Sequence, residues 1–136
     1  MPEALSALVV YDADAPALDN AAEMTEAAAS VVTGEVTRAV RASTSTVGPI
    51  AEGDWLGLVR GDGIAAVAAT IEAAAMALLD AIVVDTAELV TVVTGAEADS
   101  AVTDQIVGWL GDHRGDVHVD VHHGGQPLYP YLFGVE

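Results

Sequence analysis

Leu89-Val-Thr-Val-Val93 closed by Gly95, then Asp99-Ser-Ala-Val-Thr-Asp-Gln-Ile-Val-Gly-Trp-Leu110, then Val117-His-Val-Asp-Val121, are the three segments whose reading decides the fold. The first is a β-branched run of strand length with a glycine stop. In the second, Val102, Ile106, Val107 and Leu110 fall on one helical stripe that starts behind a capping Asp99 or Ser100. The third alternates strictly, so its valines share one face and its polar residues the other. Strand, helix and strand at this spacing form a βαβ unit, which demands parallel strands and a right-handed crossover.

The segments on either side extend this unit into a layered sheet. Ala68 to Asp80 reads as an Ala-rich helix with Ile71, Ala75, Leu78 and Leu79 on one side. Before it, Trp55-Leu-Gly-Leu-Val59 and Ile64-Ala-Ala-Val67 read as strands joined by the hairpin turn Arg60-Gly-Asp-Gly63. Glu35-Val-Thr-Arg-Ala-Val-Arg41 alternates, with Val36, Arg38 and Val40 on one face, and Ser43 to Glu52 is a polar connector bending at Gly48-Pro49. Leu18 to Val32 is helical, stopped by Thr33-Gly34, and Leu5 to Tyr11 is expected to be a buried strand halted at Asp12-Ala-Asp-Ala-Pro16. Tyr131 to Val135 is expected to return antiparallel after the Gly124–Pro130 loop. The expected class is α/β (or α+β): a mixed sheet layered with about three helices, containing βαβ units and an antiparallel C-terminal strand.

Composition narrows the function classes. At 136 residues the chain has the size of a single domain, 1–136. Although 52% of its residues are hydrophobic, no window reaches the roughly 18 uninterrupted apolar residues that span a bilayer. With 21 Asp and Glu against 4 basic residues, the formal charge of -17 repels nucleic acid and anionic lipid surfaces. The absence of cysteine rules out disulfides, thiolate metal sites and a cysteine nucleophile. No charged and apolar leader opens the chain, so a cytoplasmic, bacterial-type protein is expected.

Few residues carry candidate chemistry. His118, Asp120 and His122 share one strand face and are zinc-ligand types. Alternate strand positions lie about 7 Å apart, however, so three in a row converge poorly on one ion, and a solvated strand face is the better reading. No G-x-x-x-x-G-K-[ST], G-x-G-x-x-G or G-x-S-x-G motif occurs, and no lysine is available for a phosphate. That leaves no catalytic or cofactor-binding residue to assign. Among the arginines, Arg38 and Arg41 sit three apart on one strand in an acidic chain, a local positive spot that competes with internal ion pairing. Two of the three tyrosines and the single Phe133 follow the turn Gly124-Gly-Gln-Pro127. Tyr129, Tyr131 and Phe133 alternate onto one face, where interface use competes with core packing.

Leu18-Asp-Asn-Ala-Ala-Glu-Met-Thr-Glu-Ala, Thr33-Gly-Glu-Val-Thr-Arg-Ala-Val-Arg41, Glu52-Gly-Asp-Trp-Leu-Gly-Leu58 and Gly124-Gly-Gln-Pro-Leu-Tyr-Pro-Tyr131 resemble, in order and spacing, the C-terminal domain of the FakA subunit of bacterial fatty acid kinase, a dihydroxyacetone-kinase-like family also labelled "DAK phosphatase". The resemblance spans nearly the whole chain and implies a C-terminal piece of a larger multidomain protein. It further implies Mg-ATP held by an N-terminal module, phosphorylation of a fatty acid carboxylate, and docking of a DegV-type fatty-acid-binding partner. Contacts to that partner are expected from Arg38, Arg41, Gln126, Tyr129 and Tyr131, beside contacts to other domains of the same chain. The alternatives are a metal- or histidine-dependent phosphatase using His118, Asp120 and His122, and a structural homodimerisation domain.

Overall fold

Tyr131-Leu-Phe-Gly-Val135 has no polar side chain beyond one phenol, which is how a strand buried on both faces reads. A computed structural model describing residues 1–136 places this last strand in the middle of the sheet. In chain order the elements are α1 (Pro2–Val9), α2 (Ala17–Ser30), β1 (Val32–Arg38), β2 (Ser43–Ser45), β3 (Gly48–Ile50), β4 (Trp55–Val59), β5 (Gly63–Ala68), α3 (Ile71–Ile82), β6 (Leu89–Thr94), α4 (Ser100–His113), β7 (His118–His123) and β8 (Tyr131–Val135). The six-stranded sheet runs β5-β4-β1-β8-β6-β7, and β2 with β3 forms a separate hairpin. β8 pairs antiparallel with both β1 and β6, while β6 and β7 pair parallel. The protein is therefore an α/β fold on a mixed sheet, with the βαβ unit and the antiparallel C-terminal strand where the sequence puts them.

Helices α3 and α4 cover one face of the sheet and enclose the core. Val36, Val90, Val92, Tyr131 and Phe133 on the strands meet Leu78, Leu79, Ile106 and Leu110 on the helices, all fully buried. Burying each large side chain of this kind contributes about 1.5–3 kcal/mol. Close approach of α3 depends on Gly57, where a Cβ would stand 2.8 Å from Leu78 Cβ and 3.1 Å from Ala66 Cβ. Both helices start at side-chain caps: Thr70 accepts from Ala73 N–H, and Asp99 accepts from Ala101 and Val102 N–H.

Leu5 to Tyr11 does not form the expected strand; most of it lies in α1. A seven-residue apolar run fits a strand or a short helix equally well by periodicity. Here Pro2 sits in the first helical turn, where its missing N–H costs nothing. Pro2 and Ser6, four apart, turn inward over β8, and Ser6 Oγ donates to Glu136 Oε1 (2.5 Å) and to Ala27 O (3.3 Å). The chain thus opens helix–helix rather than strand–helix–strand, and it holds four helices, not three. Thr33-Gly34 is likewise no helix stop. α2 ends at Ser30, and both residues pair inside β1 with β8. The connector after β1 also carries more order than its polarity suggests, in the short β2–β3 hairpin.

A polar cluster ties α1 to the sheet face opposite α3. Glu3 Oε1 accepts from Thr33 Oγ1 (2.7 Å) and Arg60 Nη1 (2.6 Å), and Arg60 Nη2 also reaches Glu35. Burial alone would raise the Glu3 carboxyl, but hydrogen bonds from Thr33, its own N–H and the Met1 ammonium, with the Arg60 charge, take it from the ordinary 4.5 down to about 2. A depressed folded-state value means stability that is present above 4.5 and lost as pH falls toward 2. Glu3→Gln is therefore expected to flatten the acid limb of stability in that window. Urea midpoints measured across it, with equal slopes for both proteins, would contradict this assignment.

Candidate functional site

The loop from Gly124 to Pro130 leaves β7, crosses the end of β6 and enters β8, so backbone partners at both ends hold it. Gly124 and Gly125 N–H donate to Thr94 O, Ala96 N–H to Gln126 O (2.9 Å), and Gly95 N–H to Pro130 O (2.8 Å). Inside the loop, Gln126 Nε2 donates to Tyr129 O (3.1 Å) and reaches Val93 O (3.4 Å). Its Oε1 is buried without a partner. The loop lies so close to β6 that a Cβ on Gly95 would stand 2.3 Å from Tyr129 O and 2.7 Å from Gln126 O. The glycine–proline composition thus serves a backbone seated on backbone, fixed from several directions.

On its other side the loop reaches β1, where Thr37 Oγ1 donates to Leu128 O (3.1 Å). The segments 33–41 and 124–131 therefore meet in space, and β1 and β8 are in register at Val36 and Tyr131. Leu128 is 73% exposed and has φ 70, the one non-glycine residue with positive φ. Arg38, at the end of β1, is exposed; its guanidinium lies 5.8 Å from the Trp55 ring centroid and its Nε donates to Gly53 O (3.3 Å).

The arginines divide into two kinds. Arg60 is paired with Glu3 and Glu35. Arg114 pairs with Asp116 and donates to Val83 O and Val84 O, closing the end of α4 onto the segment after α3. Arg38 and Arg41 have no carboxylate within ion-pair distance, so internal pairing does not account for them. They are the free positive charge of a -17 chain.

Of the other expected contact residues, Tyr129 is half-buried and Gln126 has its amide nitrogen engaged within the loop. Tyr131 is corrected: it is fully buried and no partner reaches it. The alternation of Tyr131 and Phe133 puts both on the α3/α4 face, where the rings stack at 6.1 Å. Tyr131 hydroxyl donates to Asp99 O (3.0 Å) and shares a hydrogen bond with Thr103 Oγ1 (2.9 Å), which ties β8 to the start of α4. Burial pushes this phenol above its usual range despite those hydrogen bonds. Sequence reasoning missed Leu128 and Trp55. Trp55 was legible as the first residue of a strand that starts after a turn.

Two further arrangements bear on chemistry. His118 Nε2 and Asp120 Oδ1 lie 3.0 Å apart on the exposed face of edge strand β7, and no three His, Asp or Glu side chains are grouped to hold a metal ion. A cleft of about 310 Å³ opens where β6 and β7 end and α4 begins, lined among others by Thr94, Ser100, Thr103, Asp104 and His123. Open α/β sheets take ligands at this position. Here Thr94 Oγ1 and His123 Nδ1 are 3.2 Å apart, Asp99 already caps the helix, and the cleft has a carboxylate but no lysine or arginine. These residues do not fit Mg-ATP, whose phosphates need cationic or free N–H partners. No helix is long and apolar enough to cross a membrane.

Fold and loop together define an α/β domain with one rigid displayed loop beside two unpaired arginines. Residues 1–136 match the family model of the FakA-like C-terminal domain of fatty acid kinase, and the chain belongs to that family. It is 36% identical over 136 residues to an uncharacterized protein of Staphylococcus aureus strain MRSA252, and 35% identical to one of strain bovine RF122 / ET3-1. Each alignment covers 100% of this chain and 25% of the relative, so the chain spans a quarter of the length of these curated relatives.

Proposed function

We propose that this domain docks a DegV-type fatty-acid-binding protein, presenting its bound fatty acid to an ATP-holding module elsewhere in the full-length kinase. That module phosphorylates the fatty acid carboxylate to an acyl phosphate; the present residues contribute the docking and none of the chemistry. The observation that carries this reading is the loop at 124–130, pinned on both sides and set beside Arg38 and Arg41. A surface that is rigid before it binds loses little conformational entropy on association. Unpaired arginines in an otherwise negative field give the encounter its orientation. Membership of the C-terminal family, together with a cleft chemically unsuited to phosphate, supports placing the nucleotide outside these residues.

Calorimetric titration of the 136-residue chain with the DegV-type protein from the same genome tests this. A saturable heat at one-to-one ratio is expected. No heat from this chain, under conditions where the full-length protein binds, sinks the docking reading.

A further inference from the structure

Leu128 breaks a rule that the rest of the chain obeys. Every other position with positive φ, at 48, 53, 61, 63 and 125, is a glycine. A leucine in the left-handed region costs about 1–2 kcal/mol, and burial does not offset that cost here, because the side chain is 73% exposed. Its backbone is held nonetheless, by Thr37 on one side and by the Gln126–Tyr129 and Gly95–Pro130 hydrogen bonds on the other. Strain retained at an exposed side chain serves something other than the fold.

We propose that Leu128 is the apolar anchor of the docking surface and enters an apolar pocket on the partner whose rim carries carboxylates opposite Arg38 and Arg41. This rests on the docking reading above and names the chemistry of its occupant. Charge complementarity decides that occupant. Arg38 and Arg41 are the arginines without a carboxylate in ion-pair distance, and a second copy of this -17 chain would bring further repulsion. Val40, between them in sequence and 84% exposed, widens the apolar contact. The fixed loop lets the leucine enter without reorganisation, as binding anchors in preorganised surfaces do.

A competing apolar surface exists at the turn between α1 and α2, where Val9 is 85% and Leu18 84% exposed. It has no cation, and Asp12, Asp14 and Asp19 flank it, so an acidic-rimmed partner is repelled there.

Calorimetry against the same DegV-type protein, with thermal melts in parallel, tests the inference. Leu128→Gly, and as a second variant Leu128→Asn, should melt no lower than the unsubstituted chain, since both residues suit a positive φ. Both should bind about tenfold more weakly or worse, equivalent to roughly 1.4 kcal/mol. Arg41→Glu should slow association and reduce its salt dependence. If Leu128→Gly binds within about threefold of the original, or if Val9→Ser with Leu18→Ser abolishes binding while Leu128→Gly keeps it, the anchor is not Leu128 and the docking reading survives. If the unsubstituted chain does not bind at all, both fail together.

Discussion

Gly95→Ala is expected to unseat the 124–130 loop and to remove docking while the sheet survives. An alanine Cβ at this position would lie 2.3 Å from Tyr129 O and 2.7 Å from Gln126 O, both backbone atoms that no rotamer change can move. The loop must retreat, and the Gly95–Pro130 and Ala96–Gln126 hydrogen bonds, at 2.8 and 2.9 Å, go with it. Overpacking costs about 1–3 kcal/mol and each net hydrogen bond about 1 kcal/mol, so a loss of about 3 kcal/mol in a urea titration is expected. Gly108→Ala makes the opposite case from the same chemical change. That residue is exposed inside α4 with nothing within 4 Å of its Cβ, and the substitution should stabilise by about 1 kcal/mol through helix propensity alone. Docking should vanish in the first variant and persist in the second. Equal stabilities would show that the loop does not sit on β6 as described.

The parts of this fold legible in the sequence are those fixed by local chemistry. β6, α4 and β7 could be read because Asp99 caps the helix, four apolar residues define its buried stripe, and the two strands carry valine at strand periods. β4 and β5 could be read for the same reason, with Gly61 and Gly63 supplying the turn. α1 could not, because eight residues with Pro2 and Ser6 facing inward leave no periodic signal long enough to separate helix from strand. Strand order was hidden for a different reason. β8 lies between β1 and β6, an arrangement fixed by pairings almost a hundred residues apart in sequence, about which local propensity is silent.

The candidate site divides along the same line. Glycines, proline and glutamine at 124–127 announce a rigid turn from sequence, and Arg38 with Arg41 announces unusual charge. Strand alternation correctly grouped Tyr131 with Phe133, but alternation says which residues share a face and not which face is covered. Only the position of α3 and α4 turned Tyr131 from a contact candidate into a core residue bonded to Asp99 and Thr103. Leu128 was illegible because leucine carries no propensity for the conformation it adopts there. Where sequence reasoning fails for want of a local reason, a functional reason is the one to test.

Phe133→Ala should be the most destabilising single truncation of those considered and should separate stability from docking in the opposite sense to Gly95→Ala. Phe133 is fully buried in β8, opposite Gly34 on β1 and Val92 on β6, with its ring stacked on Tyr131. Gly34 has no side chain to fill the space the ring leaves, and the paired strands on both sides prevent the sheet from closing on it. Truncating a buried phenylalanine costs about 3–5 kcal/mol, a large share of the about 5–15 kcal/mol that keeps a domain of this size folded. The urea midpoint should therefore fall steeply, and a sizeable unfolded fraction at ambient temperature is expected. Yet the loop, Arg38 and Arg41 are untouched, so affinity corrected for the folded fraction should match that of the original chain. A cost below about 1 kcal/mol would mean that β8 lies at an edge and not between β1 and β6. An unchanged stability paired with lost docking would reverse the roles assigned to the core and to the loop.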